Sequence, residues 1–184
     1  HDNFEINFSL KGAAAIQIGV YFLVFVYILN NLIEGFLIDD NPAGMMSPQI
    51  LEFTGLFIYF LAFLLIALAL YFKGRRKAKR FNYKLWNKKT KTNFGIVFSS
   101  FLSTSFLIIT GLYMGYIDAI TPVFLLCYGA ILLAVKQKAR KQLIILSGIS
   151  ILLAALCFLI PSYWYSAILI LGIAHITYGI AVRN

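Results

Sequence analysis

Acidic side chains are scarce in this chain of 184 residues, which has seven Asp and Glu against sixteen Lys and Arg. Charged residues of both signs make up only 12% of the sequence, whereas a soluble domain has about a quarter. So little charge argues against a water-soluble domain. The 61% of hydrophobic residues predicts instead that most of the chain faces lipid or other helices.

Residues that usually carry catalysis or bind metals are also few. Cys127 and Cys157 lie inside apolar runs without metal-ligand spacing, which indicates small core residues and not a disulfide framework or zinc site. The only histidines are His1 and His175. The chain has no HExxH, GxSxG, P-loop, CxxC or dinucleotide-binding motif. The sequence therefore predicts no cofactor, no metal site and no enzymatic activity.

Positive charge is concentrated in residues 73–91, which hold ten of the sixteen Lys and Arg and no acid. Because positive residues in short loops stay on the cytoplasmic side of the membrane, this stretch predicts the orientation of the chain. In a soluble protein the net charge of +9 would suggest nucleic acid, but charge confined to loops at a membrane edge favours anionic lipid instead. The residues expected to bind lipid are Arg75, Arg76, Lys77, Lys79, Arg80 and Trp86.

The same stretch suggests a short helix on the membrane surface. Phe81, Leu85 and Trp86 would share one side of such a helix, with lysines around them. An apolar side surrounded by cations is typical of a segment that lies in the interface between lipid and water.

Six apolar runs are long enough to cross about 30 Å of hydrocarbon. We therefore predict an all-α polytopic membrane protein, a single bundle over residues 1–184 with its helices in three hairpins. If both basic loops, 73–91 and 136–142, are cytoplasmic, both termini are cytoplasmic as well. The predicted spans are approximately 13–36, 48–72, 94–116, 119–135, 143–160 and 163–182.

Local signals add detail to these helices. Ser47 before Pro48 predicts an N-cap with proline at the first helical position, and Asp118 is expected to cap the fourth helix. In the third helix, small residues at every fourth position and a GxxxG predict close helix packing, with a hydroxyl-lined solute path as the alternative. These small and hydroxyl residues are Gly95, Ser99, Ser100, Ser103, Thr104, Ser105, Gly111 and Gly115.

The polar residues within the apolar runs are the candidate ligand site. Glu34 and Glu52 lie near the outer ends of the first two helices, and Asn30 and Asn31 are on the same helical face as Glu34. Together they predict an outward-facing pocket for a cation, although Glu52 near a helix N-terminus is also explained by the helix dipole. His175 is on one face with Gly172 and Gly179, which predicts a buried imidazole bonded to a hydroxyl or carbonyl, or else a proton or ligand site.

The last third of the chain carries a resemblance. The segments LLCYGAILLA (125–134) and LGIAHITYGIAV (171–182) resemble small six-helix membrane proteins of Bacteroidetes-type bacteria and, more loosely, the HdeD-like inner-membrane proteins. The resemblance covers about sixty residues and no catalytic motif. It implies a six-helix fold of short hairpins and a bacterial inner-membrane location, and it assigns no site residue.

Two functions agree with these observations. The first is a small transporter, channel or sensor with an outward-facing acidic pocket for a cation, a proton or a small cationic solute. The second is a membrane adaptor or regulatory protein that binds anionic lipid and a protein partner through its basic loops, without transport. Either is compatible with a homo-oligomer, and a membrane-embedded enzyme is a distant third because the polar groups do not converge.

The orientation is tested by thiol labelling in intact cells, in a background without Cys127 and Cys157. Single cysteines at Asn41 or Ser162 should react with an impermeant reagent, and cysteines at Asn82 or Gln137 should not, because the positive-inside rule places the latter in the cytoplasm. Labelling at Asn82 from outside would show that the orientation is inverted.

Overall fold

A computed structural model describes Leu10 and residues 12–37, 47–135 and 140–182. In these residues the chain forms six α-helices and no strand, with a 3-10 turn at Pro161–Tyr163 before the last helix. Six helices are long and apolar enough to cross a membrane, as predicted. The helices are α1 Ala13–Leu37, α2 Pro48–Arg80, α3 Lys88–Tyr113, α4 Ile117–Ala134, α5 Arg140–Leu159 and α6 Trp164–Ala181.

Several sequence predictions fall outside the described residues: the labelling positions Asn41 and Gln137 and most of the second basic loop. Within the described residues, Ser47 is confirmed as the N-cap of α2, accepting a hydrogen bond from the Ile50 backbone N–H at 3.4 Å, with Pro48 following.

The largest departure from the predicted spans is at the basic stretch. The α2 helix does not end at residue 72 but continues to Arg80, and α3 begins at Lys88 instead of residue 94. Lys, Arg and Ala are good helix formers, and cations in the last turn of a helix interact favourably with its dipole. Asn87 begins α3 because its side chain accepts a hydrogen bond from Thr90 N–H at 2.8 Å.

The predicted surface helix is wrong. Residues 81–87 between α2 and α3 are not helical, and Asn82 has a positive φ of 50° that interrupts any continuation of α2. Phe81 and Trp86 are exposed in this connection. The cations of residues 73–80 are therefore carried on the extension of α2 itself.

Close contacts show that neighbouring helices run antiparallel. Gly12 approaches Gly179, and Gly19 approaches Gly172, so α1 and α6 run in opposite directions. The bundle consequently has two ends with different chemistry. We call the end with Glu34, Glu52 and Asp118 the acidic end, and the end where α2 meets α3 and α5 begins the basic end.

The α1–α6 pair is the most extensive helix contact, and it depends on glycine. A Cβ on Gly19 would lie 2.7 Å from the Gly172 carbonyl oxygen, and a Cβ on Gly179 would lie 2.8 Å from the Ile16 nitrogen. These distances leave no space for a side chain. Since helices in lipid associate through packing and not through apolar burial from water, such close backbone contact stabilises the pair.

The α4–α5 pair is the second extensive contact and adds hydrogen bonds between helices. Ser147 on α5 donates to the Gly129 carbonyl at 2.8 Å, and Ser150 donates to the Leu125 carbonyl at 2.7 Å. Both serines are fully buried. The predicted hairpin pairs α1–α2, α3–α4 and α5–α6 are also in contact, but less extensively than α1–α6 and α4–α5.

The small residues of α3 do not pack as predicted. Gly115 has φ +77°, and the hydrogen bonds Gly115 N–H to Leu112 and Tyr116 N–H to Gly111 form the motif that ends the helix. No described atom would lie within 4 Å of a Cβ on Gly95. Close approach occurs instead at Gly19, Gly129, Gly172 and Gly179.

The hydroxyl groups of α3 are largely satisfied within the helix. Ser103, Thr104 and Ser105 each donate to the carbonyl four residues earlier, at 2.8–3.0 Å. Thr104 and Ser105 are buried whereas Ser103 is exposed, so the three do not line one path. Asp118 also departs from its prediction, since Tyr116 is the N-cap of α4 and Asp118 lies in its first turn.

The glycine contact gives a stability prediction. Gly19→Ala and Gly172→Ala should each destabilise the folded protein by about 1–3 kcal/mol, because the added methyl overpacks the α1–α6 contact. Gly148→Ala is the matched control in α5, where no described atom lies within 4 Å of the added Cβ. It should be neutral or stabilise slightly through helix propensity. Unfolding in detergent measures the stability of all three variants. If Gly19→Ala and Gly172→Ala were as stable as Gly148→Ala, the glycine contact would not stabilise the α1–α6 pair.

Candidate functional site

A cavity of about 450 Å³ opens within the bundle at the acidic end. All helices except α5 contribute to its wall, together with the 3-10 turn at Pro161. Most of the lining is aliphatic or aromatic, and its described residues include no Lys or Arg. The polar groups among the lining residues are Glu52, Asp118, Thr121, Tyr59 and Trp164.

Helix starts position the two carboxylates of the cavity. Glu52 lies about one turn inside α2, after the Ser47 cap, and Asp118 lies in the first turn of α4. Glu52 is half-buried and Asp118 is exposed, so the pair lies where the cavity meets the surface. The cavity therefore combines an apolar body with an anionic mouth.

The other predicted acidic-site residues do not line this cavity. Glu34 is exposed and accepts a hydrogen bond from the Asn30 side chain at 2.8 Å, one turn earlier in the same helix. Asn31 is exposed as well. The grouping of Glu34 and Asn30 or Asn31 with Glu52 stays a prediction, whereas the cavity itself groups Glu52 with Asp118.

Aromatic rings form the inner boundary of the cavity. Phe22, Tyr59 and Phe124 line it from α1, α2 and α4. The Phe124 ring lies 6.2 Å from Phe22 and 6.3 Å from Tyr59, both edge to face. Such edge-to-face pairs are a favoured aromatic geometry. The three rings thus form one connected layer across the bundle.

His175 lies directly behind this aromatic layer. Its ring centre is 5.6 Å from that of Phe22, and its Nε2 is hydrogen-bonded to the Tyr128 hydroxyl. The imidazole is fully buried, which confirms the predicted orientation into the bundle and the bond to a hydroxyl. His175 does not line the cavity. Its other ring nitrogen, Nδ1, has no hydrogen-bond partner among the described residues.

The basic end carries the predicted lipid-binding residues. Arg75, Arg76, Lys79 and Arg80 are exposed on the last turns of α2, and Lys77 is half-buried there. Trp86 is exposed in the connection that follows, and the Arg80 guanidinium lies 5.7 Å from the centre of the Phe81 ring. Cations and aromatic rings therefore share one surface.

Sequence reasoning missed the contribution of Asp118 and of Phe22 to the site. Asp118 was interpreted as a helix cap, and one phenylalanine among seventeen carries no signal of its own. A signal was nonetheless present: Phe22 follows Gly19 by three residues, as His175 follows Gly172. Small residues mark the face of a helix that packs closely, so residues three positions away lie on the same face.

Comparisons of this chain with protein-family models, with curated proteins and with solved structures find no match. The resemblance to HdeD-like proteins therefore stays a prediction. Among the described residues there is also no group of three or more His, Cys, Asp or Glu side chains that could hold a metal ion. The chemistry of the cavity and of the basic surface is what bears on function.

Proposed function

We propose that this protein is a small transporter or sensor of a bacterial inner membrane whose ligand is an amphipathic organic cation. The observation that carries the proposal is the cavity of about 450 Å³, in which Glu52 and Asp118 accompany a mainly apolar lining with no Lys or Arg among its described residues. The positive-inside rule supports an outward-facing cavity, because the basic stretch begins at the other end of α2.

The lining favours an organic cation over a simple hydrated ion. Apolar and aromatic walls provide contact area for a hydrocarbon body, and the faces of Phe, Tyr and Trp rings attract cationic groups. Two carboxylates at one side supply the opposite charge. Ligand pockets in general combine a mainly apolar lining with a few placed polar groups.

Trp164 allows this proposal to be tested by fluorescence. The chain has two tryptophans, so Trp86→Phe leaves Trp164 at the cavity as the only one. Titration with benzyltrimethylammonium should change its emission. Glu52→Gln and Asp118→Asn should each weaken binding about tenfold, equivalent to about 1.4 kcal/mol, because the amides keep the shape and remove the charge.

Glu34→Gln is the matched control, since Glu34 does not line the cavity. We expect its affinity to equal that of the parent protein. If Glu34→Gln lost as much affinity for the cation as Glu52→Gln, the result would instead support the shared Glu34–Glu52 site. The uncharged isostere neopentylbenzene should bind the parent and the Gln variant equally, and unchanged binding of the cation in both Glu52→Gln and Asp118→Asn would disprove the proposal.

The basic surface favours a second function, the recruitment of anionic lipid by a regulatory or adaptor protein. The α2 helix is 33 residues long, or ~50 Å at 1.5 Å per residue, so it exceeds the ~30 Å of hydrocarbon. Its cations begin at Lys73 and therefore extend over the last two turns toward the headgroups. A lysine or arginine near an anionic leaflet contributes about 1 kcal/mol, reduced by salt screening.

This second function predicts a dependence on lipid charge. In nanodiscs, phosphatidylglycerol should raise the melting temperature of the wild-type protein above its value in phosphatidylcholine, and added salt should reduce the difference. Replacing Arg75, Arg76, Lys79 and Arg80 by Gln should reduce the difference, because these four exposed cations are removed while the other lysines of residues 73–91 remain. The control replaces the three arginines by Lys and keeps the charge. If the Gln variant responded to phosphatidylglycerol as strongly as the wild-type protein, these residues would not be the lipid site.

A further inference from the structure

We propose that Tyr128 and His175 form a proton-binding site at the inner end of the cavity, and that the Phe22 side chain separates this site from the cavity. The inference depends on the cavity but not on the cation proposed for it. Phe22 lines the cavity and contacts both members of the site, because its ring lies 5.6 Å from the imidazole and 5.4 Å from the Tyr128 ring, whereas Phe124 also lines the cavity but has a described contact with Tyr128 alone, at 6.1 Å.

The unpartnered nitrogen is the first observation in favour of this site. A buried polar atom without a hydrogen bond costs free energy, so its presence calls for a ligand or a role. His175 is 0% exposed, and its Nδ1 has no described partner. When Nε2–H donates to the Tyr128 oxygen, the Nδ1 lone pair is available to accept a proton from hydronium, leaving one water molecule.

The surroundings of the imidazole explain why the site is closed in this structure. The titratable groups that face it are Tyr128 on α4 and Tyr178 on α6, whose ring centre is 6.5 Å away. From α1 it meets the Phe22 ring and the backbone of Ala15, which interacts with the imidazole electrostatically but lies outside hydrogen-bond geometry. On α5 the nearby serines, Ser147 and Ser150, are bonded to α4 carbonyls.

A charged imidazole without a counter-charge is costly in such a layer. None of the described contacts supplies a carboxylate or a cation to His175. Protonation therefore favours an arrangement in which Phe22 has moved and water from the cavity reaches the ring. Because linkage is reciprocal, displacement of Phe22 also favours proton uptake. Lowering the pH should accordingly favour displacement of Phe22, so that water from the cavity reaches His175.

Nuclear magnetic resonance of labelled histidine tests this directly. The chain has only two histidines, so His1→Gln leaves His175 as the only imidazole. With ¹⁵N-histidine, this parent should show a neutral ring that exchanges slowly with water. Adding Phe22→Ala should give water exchange and proton uptake as the pH is lowered from about 8 to about 5, the range in which an accessible histidine titrates.

Phe25→Ala is the matched control, because Phe25 also lines the cavity but its described ring contact is with Tyr21. It should leave the His175 signals unchanged. Tyr128→Phe should shift the Nε2 resonance, which reports the hydrogen bond without removing the ring. The proposal is overturned if the Phe22→Ala ring exchanges and titrates like the parent, or if the parent ring already exchanges rapidly. No cation is present, so failure here leaves the cation proposal standing.

Discussion

Close backbone contact between α1 and α6 is the constraint on which the rest of the structure depends. Inside a bilayer, helices gain no free energy by hiding apolar surface from water, so packing must hold them together. Gly19 and Gly172 permit that packing, with a Cβ at either position meeting atoms 2.7–3.1 Å away. Phe22 and His175 follow these glycines by three residues on their respective helices, and the contact therefore brings ring and imidazole together.

The two ends of the bundle differ in their chemistry. At the acidic end the helices leave a cavity with Glu52 and Asp118, whereas toward the basic end one buried cluster joins α1 to α2 and another fills the space between α1, α4, α5 and α6. The cavity and its carboxylates therefore lie at one end and the exposed cations at the other. A change at the basic surface need not alter the cavity, since the filled layer lies between them.

Long periodic features of the fold were predictable from the sequence, because crossing a bilayer imposes a minimum length on each helix. The six helices and the Ser47 cap followed from that length and from local capping chemistry. Partner choice between helices was not predictable, since every apolar run offers similar surfaces. The spacing of Gly111 and Gly115 suggested packing, yet Gly115 ends α3 because its positive φ favours a glycine. Because the partners of each helix were not predictable, Asp118 and Phe22 were identified as cavity residues only from the structure.

The hydrogen bonds from Ser147 and Ser150 end on carbonyl groups of α4, not on its side chains. A carbonyl is present whatever amino acid occupies the position, so the register between α4 and α5 does not depend on most side chains of α4. Phe124 and Thr121, which line the cavity from the same helix, are therefore free to change during evolution without sliding one helix along the other. A bundle whose helices are joined by hydrogen bonds to main-chain carbonyls can change the ligand it binds while its architecture remains constant.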